Sequence, residues 1–164
     1  MSAPVTVTSV RLGQYAVGGE GDRLETLGLG SCVAIVLHDP VAQVGGMAHV
    51  LLPDPAHARD RSNPARFATT AVDLLIDELA RLGASPARLE ARLAGGAAMF
   101  AALMTPGTIG MGERNLSATR GALAARGIRV HGEATGGERG RSVRFWPGSG
   151  RVVVSSVGYD AIEL

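Results

Sequence analysis

The apolar run at residues 32–37 (CVAIVL) constrains the fold more than any other part of the chain. It has no polar alternation, and valine and isoleucine make half of it. Such a run predicts a central β-strand that is covered on both faces. The turn signal Asp39-Pro40 follows it, and residues 44–52 have the composition of a second strand that ends at Pro53.

The rest of the chain alternates strand and helix signals. A helix is expected from Asn63-Pro64 to Gly83, and a second over residues 113–125 with Gly127 as its stop. Further predictions are one or two edge strands in 5–17, strands at 89–93 and 128–131, a helical turn at 97–104, and a hairpin of 143–146 with 151–157. Because strands bracket each helix, the fold class is α/β or α+β with mixed sheets. Residues 1–164 are expected to form one domain.

Composition excludes several kinds of chemistry. All 16 basic residues are arginine, so a Schiff-base or P-loop lysine is absent, and the single cysteine allows neither a disulfide nor a multi-cysteine metal site. Histidine spacings typical of zinc sites do not occur, so we expect no metal and no cofactor. The net charge is +1 without a run of like charges, which predicts no nucleic-acid partner. The chain has neither a signal-peptide pattern nor a bilayer-length apolar stretch, so we expect a cytoplasmic protein without membrane insertion.

The lone cysteine follows a glycine-rich segment, residues 26–32 (TLGLGSC), which we interpret as a turn. If strands 32–37 and 44–52 form a hairpin with His38 opposite Gln43, Cys32 stands opposite His49; a loop one residue longer puts Val33 there instead. In the first register the two Cβ atoms are about 4.5–5.5 Å apart, close enough for a thiol–imidazole ion pair. Backbone N–H groups at Gly30 and Ser31 are free to bind an oxyanion.

Each of these residues also has a simpler interpretation. A lone cysteine in an apolar strand is usually an inert, buried side chain. The Thr26 hydroxyl either accepts the second ring N–H of a catalytic histidine or satisfies a turn. The remaining histidines are explained by exposed turns or by a strand end (His38, His57 and His131).

Several sequence blocks resemble the CheD family, the chemoreceptor glutamine deamidases of bacterial and archaeal chemotaxis. The blocks are residues 29–34 (LGSCVA), 45–49 (GGMAH), 51–53 (LLP), 95–100 (GGAAMF), 112–115 (GERN), the pair 136–137 and the pair 140–141. The resemblance as a whole extends from about Val10 to about Val154, which is nearly the whole chain. The chain departs from the usual pattern at Ala134, where the family has aspartate, and at Glu138 and Arg139.

The resemblance implies a layered sandwich of two mixed β-sheets flanked by helices, similar to the catalytic domain of the deamidating cytotoxic necrotizing factor toxins. It implies a cysteine hydrolase in which Cys32 is the nucleophile, His49 the base and Thr26 the third member of a triad. The implied reaction converts a receptor glutamine to glutamate and ammonia without a cofactor, and receptor methyl esters fit the same chemistry. The substrate would be the cytoplasmic helices of a chemoreceptor.

The resemblance also implies an alternative function of another class. Family members bind a CheC-type phosphatase and raise its activity, so a chain kept only as a regulatory binding module would need its surface but not its thiol. The presence of Cys32, His49 and Thr26 together favours the enzyme.

Overall fold

A computed structural model describes residues 4–164 of the chain. Within them lie ten strands: β1 Thr6–Ser9, β2 Tyr15–Gly18, β3 Asp22–Leu29, β4 Val33–Asp39, β5 Val44–Val50, β6 Glu90–Gly95, β7 Arg129–Thr135, β8 Arg141–Trp146, β9 Arg151–Ser155 and β10 Ile162–Glu163. The same residues form two α-helices, α1 Ala68–Arg81 and α2 Met111–Ala125, and short 3-10 turns. None of these helices is long and apolar enough to cross a bilayer.

The strands form two five-stranded mixed sheets. The central sheet has the order β2-β5-β4-β6-β7, and the outer sheet has the order β1-β3-β8-β9-β10. One strand pair in each sheet is parallel, β6 with β7 and β1 with β3, and the other pairs are antiparallel. The prediction of two mixed sheets with helices is therefore confirmed.

The central sheet is covered on both faces, because β4 at its middle presents apolar side chains in both directions. Val33, Ile35 and Leu37 pack in one core with α1 and α2. Ala34 and Val36 pack in a second core against the outer sheet. The layers are thus helices, central sheet and outer sheet, and both α-helices of the described residues lie on the same side. The buried central strand predicted from residues 32–37 is confirmed.

Two strands were not predicted, β3 and the two-residue β10. Residues 26–29, expected in a glycine-rich turn, belong to β3, which pairs with β1 on one side and β8 on the other. Polar residues and a glycine occupy many positions of β3, so the sequence does not show the apolar–polar alternation of a strand. Only Leu24, Thr26 and Leu29 of this strand are buried. A bulge interrupts the pairing with β8 between Thr26 and Leu29, where Gly28 has φ +67°. The turn before Cys32 is therefore shorter than predicted.

The predicted helices begin at other residues. Asn63 caps a 3-10 turn, Pro64–Arg66, and α1 itself starts at Ala68. Helix α2 starts at Met111, two residues before the predicted start. The predicted edge strands in 5–17 and the hairpin of 143–146 with 151–157 are confirmed as β1, β2 and the β8–β9 pair.

A buried carboxylate fixes the end of β4. Asp39 accepts hydrogen bonds from the backbone N–H groups of Val41 (2.9 Å), Ala42 (3.1 Å) and Ser85 (2.8 Å), and it forms an ion pair with Arg88 at 2.9 Å. Burial by itself raises the pKa of this carboxyl, but the hydrogen bonds from Arg88 and the backbone outweigh burial and hold the pKa far below its usual value. The ionised form therefore stabilises the fold.

We expect Asp39→Asn to lower the free energy of unfolding by about 1–3 kcal/mol, because an amide replaces the carboxylate and leaves buried backbone N–H groups without their acceptor. Since the folded pKa is depressed, the stabilisation by Asp39 is present above about pH 4 and is lost as the pH falls toward the folded pKa. Urea unfolding at several pH values measures both effects. Glu78→Gln, in the exposed pair with Arg81, is the control and should cost less than about 1 kcal/mol. A wild-type midpoint for Asp39→Asn would contradict this account.

Candidate active site

The β4–β5 hairpin sets the distance between the cysteine and the histidine. Both predicted registers are wrong: Ala34, not Cys32 or Val33, lies opposite His49. The loop falls one residue later than expected, because Asp39 stays paired with Val44 while its carboxylate binds the N–H groups of the turn. Cys32 is therefore a diagonal neighbour of His49 rather than its direct partner.

The shifted register still leaves the two side chains on one face. Cys32 lies two residues before Ala34, so both side chains point toward the outer sheet with that of His49. Diagonal neighbours of this kind are about 7–8 Å apart, somewhat less between Cβ atoms. Both residues are buried, and no hydrogen bond joins the thiol to the imidazole within residues 4–164. The pair is close enough to meet across a substrate.

The third predicted residue, Thr26, contacts His49 directly. Its buried Oγ1 lies 2.8 Å from His49 Nδ1 and 2.6 Å from the carbonyl oxygen of Val10. A carbonyl can only accept, so the single hydroxyl proton goes to Val10, and Thr26 accepts from the ring. His49 must then carry its proton on Nδ1, which leaves the lone pair of Nε2 free to act as a base.

Burial sets the resting protonation state of the pair. It lowers the pKa of His49, an effect that the Val10 carbonyl partly offsets. It also raises the pKa of the Cys32 thiol. Both directions favour a neutral thiol beside a neutral imidazole at pH 7, rather than the ion pair that the hairpin argument anticipated. Activation of the thiol by this pair would consist of proton removal during the attack itself.

Among the described residues, the turn at residues 30–32 presents unpaired backbone N–H donors, of which those of Ser31 and Cys32 lie nearest the thiol. The carbonyl of Gly30 accepts from the N–H of Ala97, and that of Cys32 accepts from the N–H of Gly96, each at 2.9 Å. Within residues 4–164 the N–H groups of Ser31 and Cys32 donate to no acceptor. Since the N–H and C=O of one peptide unit point in opposite directions, the Ser31 N–H points away from the 96–97 loop. These donors suit a developing oxyanion.

Close packing behind the turn requires glycine at residue 95. Gly95 has φ +104°, and a Cβ there would lie 2.2 Å from the carbonyl oxygen of Cys32. The loop can therefore approach the turn only without a side chain.

Asn115 on α2 is a site residue that our chemical reasoning missed. Its fully buried Nδ2 donates to the carbonyl oxygens of Ser31 and Leu51, both at 3.0 Å. One amide group thus ties the residue before Cys32 to the residue two positions after His49. Its Oδ1 is buried and has no partner within the described residues. In the sequence, Asn115 stands out only as part of the 112–115 block (GERN) of the resemblance, and that block does not indicate what its side chain binds.

Exposed apolar side chains lie close in sequence to the turn and to the 96–97 loop that binds it. Phe100 is 73% exposed and Leu103 is 85% exposed, and Met99 and Leu27 are exposed as well. Met99 covers Gly30, because its Sδ lies 3.0 Å from the position that a Cβ on Gly30 would take. The side chain that covers the turn at Gly30 is therefore apolar.

The other histidines lie elsewhere. His38, expected in an exposed turn, is buried edge-on against Phe145, with ring centroids 6.1 Å apart. His57 lies 3.4 Å from Asp54. Within residues 4–164 no three histidine, cysteine or acidic side chains form a cluster that could hold a metal ion.

Comparison with known proteins gives consistent matches over most of the chain. The family model described as CheD chemotactic sensory transduction matches residues 51–156, a segment that starts after Cys32 and His49. A protein of Desulforamulus reducens named probable chemoreceptor glutamine deamidase CheD is 45% identical over 91% of this chain and 90% of its own length. The chemoreceptor glutamine deamidase CheD of Thermotoga maritima is 44% identical over 91% of both chains.

A solved structure is only distantly similar. The crystal structure of the Neisseria meningitidis protein NMB0706 has a TM-score of 0.46 and 15% identity, over 82% of this chain and 63% of that one. This similarity is too weak to bear on fold or function.

We expect the folded chain to react slowly with iodoacetamide at pH 7, because the raised pKa keeps the Cys32 thiol protonated. The alkylation rate should rise only above about pH 8.5, the usual pKa of a thiol. The control is the urea-unfolded chain, in which the rate should rise at a lower pH than in the folded chain. The rate is measured by mass spectrometry across pH. Fast, pH-independent alkylation below pH 7 would indicate a standing ion pair and contradict the neutral pair.

We expect Asn115→Asp to loosen the turn, because it places carboxylate oxygens against two carbonyls in place of a donor. The loss should be about 1–3 kcal/mol in unfolding free energy, with faster alkylation of Cys32 at high pH. Asn63→Asp is the matched control; it also loses an amide donor, to Gly13, but on an exposed surface. Unchanged alkylation of Asn115→Asp would show that Asn115 does not hold the turn.

Proposed function

Because the chain belongs to the CheD family, we propose that it is a protein-glutamine deamidase that converts glutamine side chains of chemoreceptors to glutamate and ammonia. The observation that carries the catalytic assignment is the buried hydrogen bond from His49 Nδ1 to Thr26, which leaves Nε2 as the basic nitrogen of a ring on the sheet face that Cys32 shares. Residues 1–164 act as one deamidase domain in the cytoplasm.

The first half of the reaction forms a thioester. His49 Nε2 takes the thiol proton as Cys32 Sγ attacks the carbon of the glutamine side-chain amide. The negative charge moves to the amide oxygen, where the N–H groups of Ser31 and Cys32 stabilise it; one such donor is worth about 3–4 kcal/mol in other hydrolases. The imidazolium then protonates the amide nitrogen, the C–N bond breaks and ammonia leaves.

The second half restores the enzyme. A water molecule gives a proton to His49 Nε2 and attacks the thioester carbon. The C–S bond breaks, Cys32 recovers its proton from the imidazolium, and glutamate is released. The Thr26 oxygen accepts a hydrogen bond from Nδ1–H throughout, so the ring keeps its orientation in both protonation states. A receptor methyl ester offers the same carbonyl with methanol as the leaving group, so the site also suits esterase activity.

The surroundings of the turn support a macromolecular substrate. The exposed side chains of Leu27, Met99, Phe100 and Leu103 are apolar, and Met99 lies against Gly30, two residues before Cys32. An amphipathic receptor helix could bury these side chains while it presents one glutamine to the turn. We assign this surface to the cytoplasmic helices of the receptor.

The alternative function, a binding module for a CheC-type phosphatase, needs no buried polar network. The Thr26–His49 contact and the free donors at Ser31 and Cys32 support the enzyme, and binding of such a phosphatase is compatible with it. Co-purification with a phosphatase would support the binding role.

We expect incubation with a chemoreceptor cytoplasmic fragment to convert glutamine to glutamate, measured by peptide mass. Cys32→Ala should abolish the conversion, since no other group can form the thioester. Thr26→Val should keep the fold and lower kcat roughly ten- to hundredfold, as loss of a partner that orients a histidine does elsewhere. Thr26→Ser keeps the hydroxyl and is the control. Full activity in Cys32→Ala would overturn the mechanism, and a wild-type rate in Thr26→Val would remove Thr26 from it.

A further inference from the structure

The guanidinium of Arg141 is a buried charge without a counter-ion. The residue is only 8% exposed, and within residues 4–164 no carboxylate lies at ion-pair distance from it. Its Nη1 donates to the carbonyl oxygens of Gly136 at 2.8 Å and Gly95 at 3.5 Å. Buried charges are usually paired, because carbonyl dipoles replace only part of the lost hydration.

A cavity of about 530 Å³ adjoins this arginine; its lining is largely apolar, and the polar groups in it are hydroxyls and guanidiniums. The polar lining residues are Arg139, Arg141, Ser142, Ser155 and Ser156, with no acidic residue among them. Arg139 is exposed and lies over the ring of Tyr159 at 3.7 Å. Its charge also lowers the pKa of Arg141, although burial is the larger cause. The cavity is therefore cationic.

A neighbouring smaller cavity is lined by both arginines and also by Glu133 and Asp160. Glu133 is paired with Arg120. The larger cavity, which lacks carboxylates, is the better anion site of the two.

The cationic cavity borders the nucleophile turn. Arg141 is the β8 partner of Leu29, three residues before Cys32. Gly95, whose carbonyl oxygen lies 3.5 Å from Arg141 Nη1, packs on the Cys32 carbonyl. Met99 lines the cavity and also covers Gly30. A substrate helix that presents glutamine to Cys32 would therefore place a neighbouring side chain at this cavity.

We propose that the cavity beside Arg139 and Arg141 is a carboxylate-binding subsite that takes an acidic side chain one helical turn from the target glutamine. Residues three or four apart on a helix are about 5–6 Å apart between Cβ atoms, which matches a subsite next to the turn. A guanidinium suits a carboxylate because it can donate two parallel hydrogen bonds. This inference rests on the proposed function, since it assumes a helical glutamine substrate.

The experiment measures binding separately from chemistry. Two helical peptides carry one glutamine and differ only in glutamate or glutamine four residues away, and their affinities for the Cys32→Ala chain are compared by fluorescence anisotropy. We expect the acidic peptide to bind roughly tenfold tighter at about 0.05 M salt. The preference should shrink toward unity at about 1 M salt, where the Debye length is about 3 Å.

Substitutions locate the preference on the cavity. Arg139→Gln and Arg141→Gln, each in the Cys32→Ala background, should reduce the ratio of affinities toward one. Arg144→Gln on the exposed face of β8 is the matched control and should keep it. If Arg141→Gln lowers the melting temperature, Ser155→Asp replaces it; the new carboxylate at the cavity wall should compete with the peptide and abolish the preference.

Two results would overturn the subsite: equal affinities for both peptides at low salt, or a preference that survives Arg139→Gln and Arg141→Gln in folded chains. Deamidation of both peptides by the wild-type chain is measured in parallel. If neither peptide is deamidated while the acidic one still binds more tightly, the proposed function fails and the subsite stands. If both peptides are deamidated and neither binds more tightly, the proposed function stands and the subsite fails.

Discussion

The arrangement of the site depends on one hydroxyl group that joins the two sheets. Thr26 lies on β3 of the outer sheet, and its Oγ1 reaches His49 on β5 of the central sheet. Because the Val10 carbonyl takes the hydroxyl proton, the hydroxyl can only accept from the ring. This contact fixes both the separation of the sheets at the site and the tautomer of the base. Without this contact, His49 would be a buried polar side chain between the sheets, and nothing would determine which ring nitrogen carries the proton.

The nucleophile turn is held from the other layers. The 96–97 loop, which follows β6, binds two carbonyl groups of the turn, and Asn115 on α2 binds a third. These contacts use the carbonyl oxygens of the turn and not its N–H groups, so the N–H groups of Ser31 and Cys32 remain available to bind a ligand oxygen. Helix, central sheet and outer sheet therefore each contribute to one site: the helix fixes the turn, the central sheet carries His49 and continues from Cys32, and the outer sheet orients the His49 ring.

The surface around the turn has two different characters. Met99 is an exposed apolar side chain at the turn, and it also lines the cavity that contains Arg139 and Arg141. Apolar contact and charge recognition at neighbouring positions are what an amphipathic protein helix offers. Asp39 has the opposite role at the far end of β4, where its charge is fully paired and serves the fold.

The sequence alone determined the faces and the reactive groups. Six apolar residues in succession required a strand covered on both sides, and the positions of Cys32 and His49 on neighbouring strands put them within reach of each other. Tertiary structure decided the rest. The side-chain period of two defines faces but not register, which the hydrogen bonds of Asp39 shifted, so that Ala34 stands opposite His49. Strand β3 is defined by pairing with β1 and β8, from distant parts of the chain, and this pairing rather than local pattern places Thr26. The contacts of Asn115 and the isolation of Arg141 likewise arise between residues far apart in sequence, where no local spacing could reveal them.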